Sequence, residues 1–427
     1  MLYPGPITTR SRQALVTRQR FALFGALLFG VLLPFLLRQL LWPDPAFIDT
    51  SRVSLAANLM AVAIATWIRL SVQTFPGTRA GALIAPSIVV AHVTVLTLLL
   101  LTRLPYDRLG LVTGFVAHLV WTIGLYIAVH RRVRRQFGVI PVGVVDHLRS
   151  IEGVNWKMLK RPDLKATYDC DALVADFTAD LPPEWEAFLA DAALDGRMVY
   201  QVKQLSESLT GRVEVNHLSE NSFGSLIPAR GYFHLKSIVD FFAALILLPV
   251  LALPMLAIAA AIRIDSRGPA LFRQRRVGHA GRPITVYKFR TMKADQAQDD
   301  ERSAAMTGEQ DLRITRLGGF LRRSRIDELP QMFNILKGEM SWIGPRPEAA
   351  VLSTWYTGEI PFYRYRHVVR PGISGWAQVN QGHVAHVDEI HEKLQFDFFY
   401  IKYFSPWLDT LILFRTIKTM LTGFGSR

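Results

Sequence analysis

Residues 235–269, LKSIVDFFAALILLPVLALPMLAIAAAIRIDSRGP, decide how this chain is arranged. From Ser237 to Ile262 the run is apolar and longer than the ~20 residues a helix needs to cross a bilayer core. Its flanks argue against a plain crossing. Lys236 and Asp240 stand at its start, and Arg263, Arg267, Arg273, Arg275 and Arg276 follow its end. Basic residues collect on the cytoplasmic side, so both ends read as cytoplasmic. Pro249 and Pro254 lie mid-run, where each removes a backbone hydrogen bond and bends a helix. The economical expectation is a broken, re-entrant helix over 236–262 that dips into one leaflet and returns. The alternative is a further span with two proline kinks, which would strand everything after it on the opposite side of the membrane.

Upstream, the chain is also built for a bilayer. Four apolar runs, Phe21–Trp42, Val53–Leu70, Ala80–Leu101 and Leu111–His130, each approach spanning length. Arg10, Arg12, Arg18 and Arg20 precede the first, as in a secretory signal. That run is too long for a signal and no small-residue cleavage site follows it, so it reads as a retained helix. The arginine-rich arm places the N-terminus inside, the loop WPDPAFIDTSR suits the outside, and Arg69 and Arg79 suit the inside again. Arg103 and Arg108 run against this pattern. The cluster HRRVRRQ at 130–136 returns the chain to the cytoplasm.

Composition agrees. Of 427 residues, 50% are hydrophobic, and the net charge is +14. Mean hydropathy is +0.21. Such a balance fits nucleic acid, anionic lipid or a phosphorylated substrate as partner. The single Cys170 excludes an internal disulfide, and no Cys/His cluster has zinc-ligand spacing.

Between the membrane runs lies a small α/β unit. VIPVGVVDH (139–147), DALVADF (171–177) and RMVYQV (197–202) read as strands, and PPEWEAFLADAALDG (182–196) as a helix ending at Gly196. This alternation favours a parallel sheet. Without a G-x-G-x-x-G after the first strand, nucleotide binding and a plain packing spacer both stay open.

Past residue 269 the chain turns polar and basic. Three stretches stand out: RQRRVGHAGRPITVYKFRTM (273–292), RSRIDELPQMFNILKGEMSWIGPRPE (323–348) and RYRHVVRPGISGWAQVNQGH (364–383). Between the first two, 294–311 is polar and unpatterned, either a loop over a site or a surface connection. The apolar, aromatic segment 394–421 has a helix start at Ser405-Pro406, and headgroup-plane and core positions both suit it.

In the middle stretch, Leu329 to Leu336 is expected as a short helix, with Pro330 in its first turn and Gly338 past its end. Asp327 and Glu328 then stand at a helix N-terminus, where a carboxylate often serves only as a cap. Their neighbours suggest more. Arg322, Arg323 and Arg325 precede the pair, Arg346 lies between prolines, and Arg364, Arg366 and Arg370 follow. Arginine forks recognise phosphate oxygens. Mg²⁺ is held by one or two carboxylates plus substrate phosphates, and a carboxylate can itself attack phosphorus. The residues alone point to phosphoryl transfer at a membrane surface, with basic surface against anionic lipid as the competing explanation.

The half from Lys236 onward resembles the bacterial sugar transferases, monotopic-type phosphoglycosyl transferases that load a sugar phosphate onto polyprenyl phosphate. With four helices and a middle domain ahead of it, the whole chain looks like the larger members that start exopolysaccharide or O-antigen repeat units. The resemblance implies that Lys236 and Asp240 open the re-entrant helix and Pro254 breaks it, although Ser-Pro is commoner there than Leu253-Pro254. It implies Asp327 and Glu328 as the catalytic dyad, Asp327 attacking the β-phosphate of a UDP-sugar with Mg²⁺ at that aspartate. Lys288, Arg290, Arg346 and Arg370, with Arg325 beside the dyad, are implied phosphate-binding positions. Gln378 and Asn380 match the family's QVN, though Gln381 precedes Gly382 here.

The expected architecture is therefore a membrane α-helical bundle plus α/β. It comprises a four-helix transmembrane domain (1–135), a small Rossmann-like domain (136–228) and an α+β catalytic domain (229–427). The expected partners are a UDP-sugar, polyprenyl phosphate and membrane lipid, with a homodimer implied by resemblance only. The expected location is the bacterial cytoplasmic membrane, catalytic domain inward. One rival is a membrane scaffold gripping anionic lipid, for which Asp327 is a cap worth ~1 kcal/mol. Another is a tethered nucleic-acid binder, but no groove-reading module is found.

Overall fold

The structure, a computed structural model, describes residues 20–41, 48–72, 84–130, 136–213, 228–293, 313–381 and 387–422. Arg10, Arg12, Arg18, Arg79, the arginines of 131–135, the loop 294–311 and Gly382 lie outside the described residues. The chain divides into two compact units, Met1–Gly211 and Arg212–Arg427.

The first unit opens with apolar helices α1 (Arg20–Leu41), α2 (Ile48–Val72), α3 (Ile84–Thr102) and α4 (Arg108–His130), all long and apolar enough to cross a membrane. Ala57, Ala61 and Ala65 of α2 meet Ile84, Ile88, Ala91, Val95 and Leu99 of α3. Small side chains let helix backbones approach where lipid offers no hydrophobic drive. Asp107 accepts from the backbone N–H of Leu109 and Gly110, starting α4, and pairs with Arg38 at 3.1 Å.

The α/β part is a four-stranded parallel sheet in the order β2-β1-β3-β4, as the alternation predicts. Its strands are β1 (Gln136–Val139), β2 (Asn155–Met158), β3 (Ala172–Ala175) and β4 (Val199–Gln201), with helices α5 (Pro183–Leu194) and α6 (Val202–Thr210). The first strand ends sooner than expected. Pro141 lacks an N–H, and Gly143 is left-handed at φ 83°, so 140–145 forms a turn tied down by the Asp176 carboxylate, which accepts from Val144 N. Strand β2 has no clear apolar pattern and was not foreseen.

The second unit begins with α7 (Arg230–Asp265), a single helical element carrying both Pro249 and Pro254. The expected break is therefore not a loss of helix. In a long Leu/Ala-rich run each proline costs one hydrogen bond, while the other backbone groups stay paired by remaining helical. One stripe of α7 packs on the unit. Ala244 lies with Ile284, Val286, Ile335 and Met340, and Met255 and Ile262 lie with Phe289 and Leu321. The rest of its surface is bare, with Ile246, Val250 and Leu253 68%, 68% and 77% exposed.

Small sheets and helices make up the remainder. β5 (Leu271–Val277) and β6 (Pro283–Phe289) form an antiparallel hairpin. Helix α8 (Arg316–Arg323) leads to a 3₁₀ turn, Ile326–Gln331, and α9 (Met332–Leu336). Then come β7 (Ser341–Ile343), α10 (Ala350–Glu359), β8 (Gly372–Ser374) parallel to β7, α11 (Trp376–Asn380), α12 (Val387–Lys402) and α13 (Pro406–Thr422). Helix α13 starts at Ser405-Pro406 as expected. It buries Leu408, Leu411 and Ile412 and exposes Leu413 and Ile417.

Candidate active site

The dyad stands further ahead of its helix than the sequence suggests. Asp327 and Glu328 lie inside the 3₁₀ turn, and the α-helix starts only at Met332. Arg325 is left-handed at φ 60° and reverses the chain into this turn. Such a conformation costs roughly 1–3 kcal/mol in a residue with a Cβ and clusters at functional sites. Both carboxylates are buried. Among the described residues neither accepts a backbone N–H, so neither is a helix cap.

Their surroundings differ sharply. Glu328 Oε1 accepts from Arg346 Nη2 at 2.6 Å and Lys288 Nζ at 3.1 Å, and Arg325 lies 3.9 Å from Oε2. Burial alone would raise this carboxyl, but Arg346, Lys288 and Arg325 overcome it and hold Glu328 ionised, far below the ordinary carboxylate range. Asp327 has no hydrogen bond or ion pair among the described residues. Burial first, then repulsion from Glu328, pushes its carboxyl up to about 6 against Lys288, Arg346 and Arg322. Lys288 is itself lowered to about 8 by burial.

The rest of the fold holds these groups in place. Buried Asn334 on α9 accepts from Tyr287 N, and donates to the Thr285 carbonyl and Glu339, pinning the dyad's helix to the strand that carries Lys288. Close backbone contact shapes the Arg346 loop. A Cβ on Gly344 would fall 2.4 Å from the Arg370 carbonyl oxygen, and one on Gly372 2.1 Å from Gly344 N, so only glycine lets β7 and β8 meet here. Behind the loop, Arg366 Nη2 donates to the Arg346 carbonyl at 2.9 Å and contacts Asp397 at 2.8 Å. Arg366 also pairs with Glu348, which Lys393 bridges in turn.

Of the residues expected at the site, the structure brings together Asp327, Glu328, Lys288, Arg325 and Arg346. Other expected residues are held elsewhere. Arg290 is buried and closes the C-terminus of α7 by donating to Ser266 O at 2.6 Å, where a cation also meets the negative end of the helix dipole. Gln378 donates to the Ile373 carbonyl, and Asn380 donates to the Trp376 carbonyl and accepts from Arg415, so both brace α11. Arg370 lies against Phe233 of α7. Lys236 pairs with Asp409 at 2.7 Å and Asp240 at 3.7 Å. Arg366, grouped by sequence with the phosphate-seeking arginines, is consumed inside the fold. Sequence reasoning passed over Asn334, a polar residue in an apolar helical run. It also missed Arg276, which donates to the Pro347 carbonyl beside Arg346.

A membrane enzyme that handles phosphate groups is the class this combination of apolar helices and a cation-ringed carboxylate pair defines. Comparison with known proteins narrows it: residues 231–423 match the model of the bacterial sugar transferases. Over 389 residues the chain is 43% identical to the UDP-N-acetylgalactosamine-undecaprenyl-phosphate N-acetylgalactosaminephosphotransferase of Aeromonas hydrophila, covering 90% of this chain and 91% of that protein. It is 44% identical over 188 residues to the UDP-glucose:undecaprenyl-phosphate glucose-1-phosphate transferase of Xanthomonas campestris pv. campestris, covering 44% of this chain and 38% of that one. The protein of the same description from Escherichia coli (strain K12) is 40% identical over 185 residues, 43% and 39% of the two chains. This chain belongs to the bacterial sugar transferase family.

Proposed function

We propose that the protein transfers a sugar 1-phosphate from a UDP-sugar to undecaprenyl phosphate, releasing UMP and starting a polysaccharide repeat unit. UDP-N-acetylgalactosamine is the proposed donor, because the relative matching nearly the whole chain is described by that sugar, whereas the two glucose transferases align over less than half of it. The observation that carries the reading is the asymmetry of the dyad: Glu328 is locked among cations while the adjacent, buried Asp327 has no partner among the described residues.

An unpartnered carboxylate in a partly desolvated site is suited to attack phosphorus. In the first displacement an Asp327 oxygen forms a bond to the β-phosphorus. The bond from that phosphorus to the bridging oxygen breaks, and its electron pair leaves on UMP. In the second, a phosphate oxygen of undecaprenyl phosphate bonds to the same phosphorus, and the aspartyl O–P bond breaks, returning the electron pair to Asp327. Lys288, Arg322, Arg325 and Arg346 surround the dyad and offset the charge of the phosphoryl group in both steps. The donor set also fits Mg²⁺. Glu328 Oε2 is buried without a hydrogen-bond partner, and the Asp327 oxygens beside it are uncommitted among the described residues. Mg²⁺ held by these two residues would neutralise diphosphate charge and orient the leaving group.

The reading also takes α7 as re-entrant and the catalytic unit as cytoplasmic. A crossing would part the ends of a helix by ~30 Å of hydrocarbon. Here Ala244 in the first half and Met255 and Ile262 in the second all pack on one polar unit, which supports a helix whose two ends share a side. The deciding experiment incubates purified protein in nanodiscs with undecaprenyl phosphate, Mg²⁺ and a panel of UDP-sugars, and follows UMP. Release with UDP-N-acetylgalactosamine, abolished in Asp327→Asn, is expected; full activity in Asp327→Asn sinks the mechanism.

A further inference from the structure

One cation near the dyad forms no ion pair with it among the described residues. Arg276 lies on β5, in the stretch RQRR (273–276), and strand alternation sorts that stretch into two faces. Arg273 and Arg275 are exposed, whereas Gln274 and Arg276 are half-buried. In the hairpin Gln274 stands opposite Val286 and Arg276 opposite Ile284, so both share the face of two buried apolar residues. Lys288, opposite Phe272, belongs to that face too. Two polar residues on the inward side of a hairpin call for a reason.

On this face Gln274 holds Arg276. Its Oε1 accepts from Arg276 Nε at 2.9 Å and from Nη2 at 2.7 Å. The third nitrogen, Nη1, donates to the Pro347 carbonyl, next to Arg346. Backbone contacts clamp the same segment: Val277 N donates to the Glu348 carbonyl at 3.1 Å, and Arg276 bridges to Ala349. Arg276 therefore fixes the loop from which Arg346 reaches Glu328 at 2.6 Å.

The chemistry of the partner decides what else Arg276 does. A carboxylate at 274 would take the same two N–H groups and cancel the charge, whereas an amide takes them and leaves it. Glu348, which also acts on Arg276, already serves Arg366 and Lys393. Burial, then Arg346, push the Arg276 guanidinium down to about 10, so it stays charged at neutral pH. Like charges held together in a half-buried site repel one another until an anion joins them.

We propose that Gln274 and Arg276 are a pair of positioning residues: Gln274 orients a guanidinium without cancelling it, and Arg276 fixes the Arg346 loop and adds its charge to the field that receives a diphosphate. In the transferase reading, on which this part rests, that diphosphate belongs to the nucleotide sugar.

The test uses full-length protein in phosphatidylcholine nanodiscs with undecaprenyl phosphate, Mg²⁺ and the UDP-sugar from which wild type releases UMP. Gln274→Glu keeps both hydrogen bonds and cancels the charge. Its thermal midpoint is expected at or above that of wild type, while kcat/KM for the UDP-sugar falls about tenfold. Gln274→Met keeps the charge and loses both bonds, so its midpoint falls while its kcat/KM stays above that of Gln274→Glu. A merely structural pair ranks the two variants alike in both measurements. That outcome overturns the proposal, as does wild-type kcat/KM in Gln274→Glu. Pyrophosphate with Mg²⁺, read as a rise in thermal midpoint without sugar or lipid, separates this inference from the transferase reading. A rise in wild type that shrinks in Gln274→Glu upholds the pair even if no UMP ever forms. No rise in wild type, or an equal rise in Gln274→Glu, sinks it.

Discussion

Two clusters of buried charge lie close together in the catalytic unit, and they are built differently. Around Glu348 the ledger is close to even: Glu348 and Asp397 face Arg366 and Lys393, all four buried or nearly so, and Arg276 acts on both clusters. Around the dyad it is not. Arg276, Lys288, Arg322, Arg325 and Arg346 act on two carboxylates, and one of those, Asp327, has no hydrogen bond or ion pair among the described residues. A balanced buried cluster is complete by itself and serves the fold, whereas a surplus of cations beside an uncommitted carboxylate is complete only when an anion arrives. In the proposed mechanism the contrast separates structural from reactive charge in a chain where both are arginine and acid.

Removing the uncommitted carboxylate is expected to have the largest effect on chemistry and almost none on folding. Asp327→Asn should cut UMP release by roughly a thousandfold or more while the thermal midpoint stays put or rises, since no ion pair is lost. Arg366→Met should do the reverse. It takes the contacting cation from buried Asp397 and one of the cations from Glu348, a loss of about 3–5 kcal/mol, visible as a fall in denaturation midpoint of the purified protein before any assay. If Arg366→Met folds normally and only lowers turnover, the two clusters are not the separate things described here.

Smaller effects sharpen the line. Arg346→Lys keeps the charge on Glu328 but removes the fork, and a rise of about tenfold in the KM for UDP-sugar is expected from steady-state kinetics. The Glu348 carboxyl would be raised by burial, yet Lys393, Arg366 and Arg276 hold it well below its ordinary value. A carboxyl depressed in the folded state stabilises above its unfolded value of about 4.3, and this contribution fades as pH falls below that. Melting curves of wild type and Glu348→Gln should therefore differ at pH 7 and draw steadily closer as pH falls below about 4. Last, Cys170 lies outside both clusters. Burial, then Asp169, pushes its thiol up to about 11, so alkylation of native protein at pH 8 should be slow and become fast only on unfolding.

Much of this was legible in the sequence. Apolar runs of spanning length became helices, the alternating middle segment became a parallel sheet, and Asp327, Glu328, Lys288, Arg325 and Arg346 were brought together from stretches up to 58 positions apart in the numbering. Other features were not. Nothing in the stretch RYRHVVRPGISGW distinguishes Arg366, buried against Asp397, from Arg370, open on Phe233. Arg290 looked like a phosphate ligand and is the cap of a membrane helix. The prolines of α7 looked like a break and are carried within the helix.

What the sequence determined by itself was therefore composition along the chain: where apolar length suffices for a membrane, where polarity returns, and which short stretches concentrate carboxylates and arginines. Those properties belong to runs of neighbours, and hydrophobic transfer acts on runs. The tertiary structure alone decided which arginine answers which carboxylate. A guanidinium and a carboxylate pair across a few ångströms of space, from segments as far apart as Arg346 and Glu328 or Lys236 and Asp409, and burial then sets which charges are tied and which carboxylate, Asp327, stays uncommitted among the described residues.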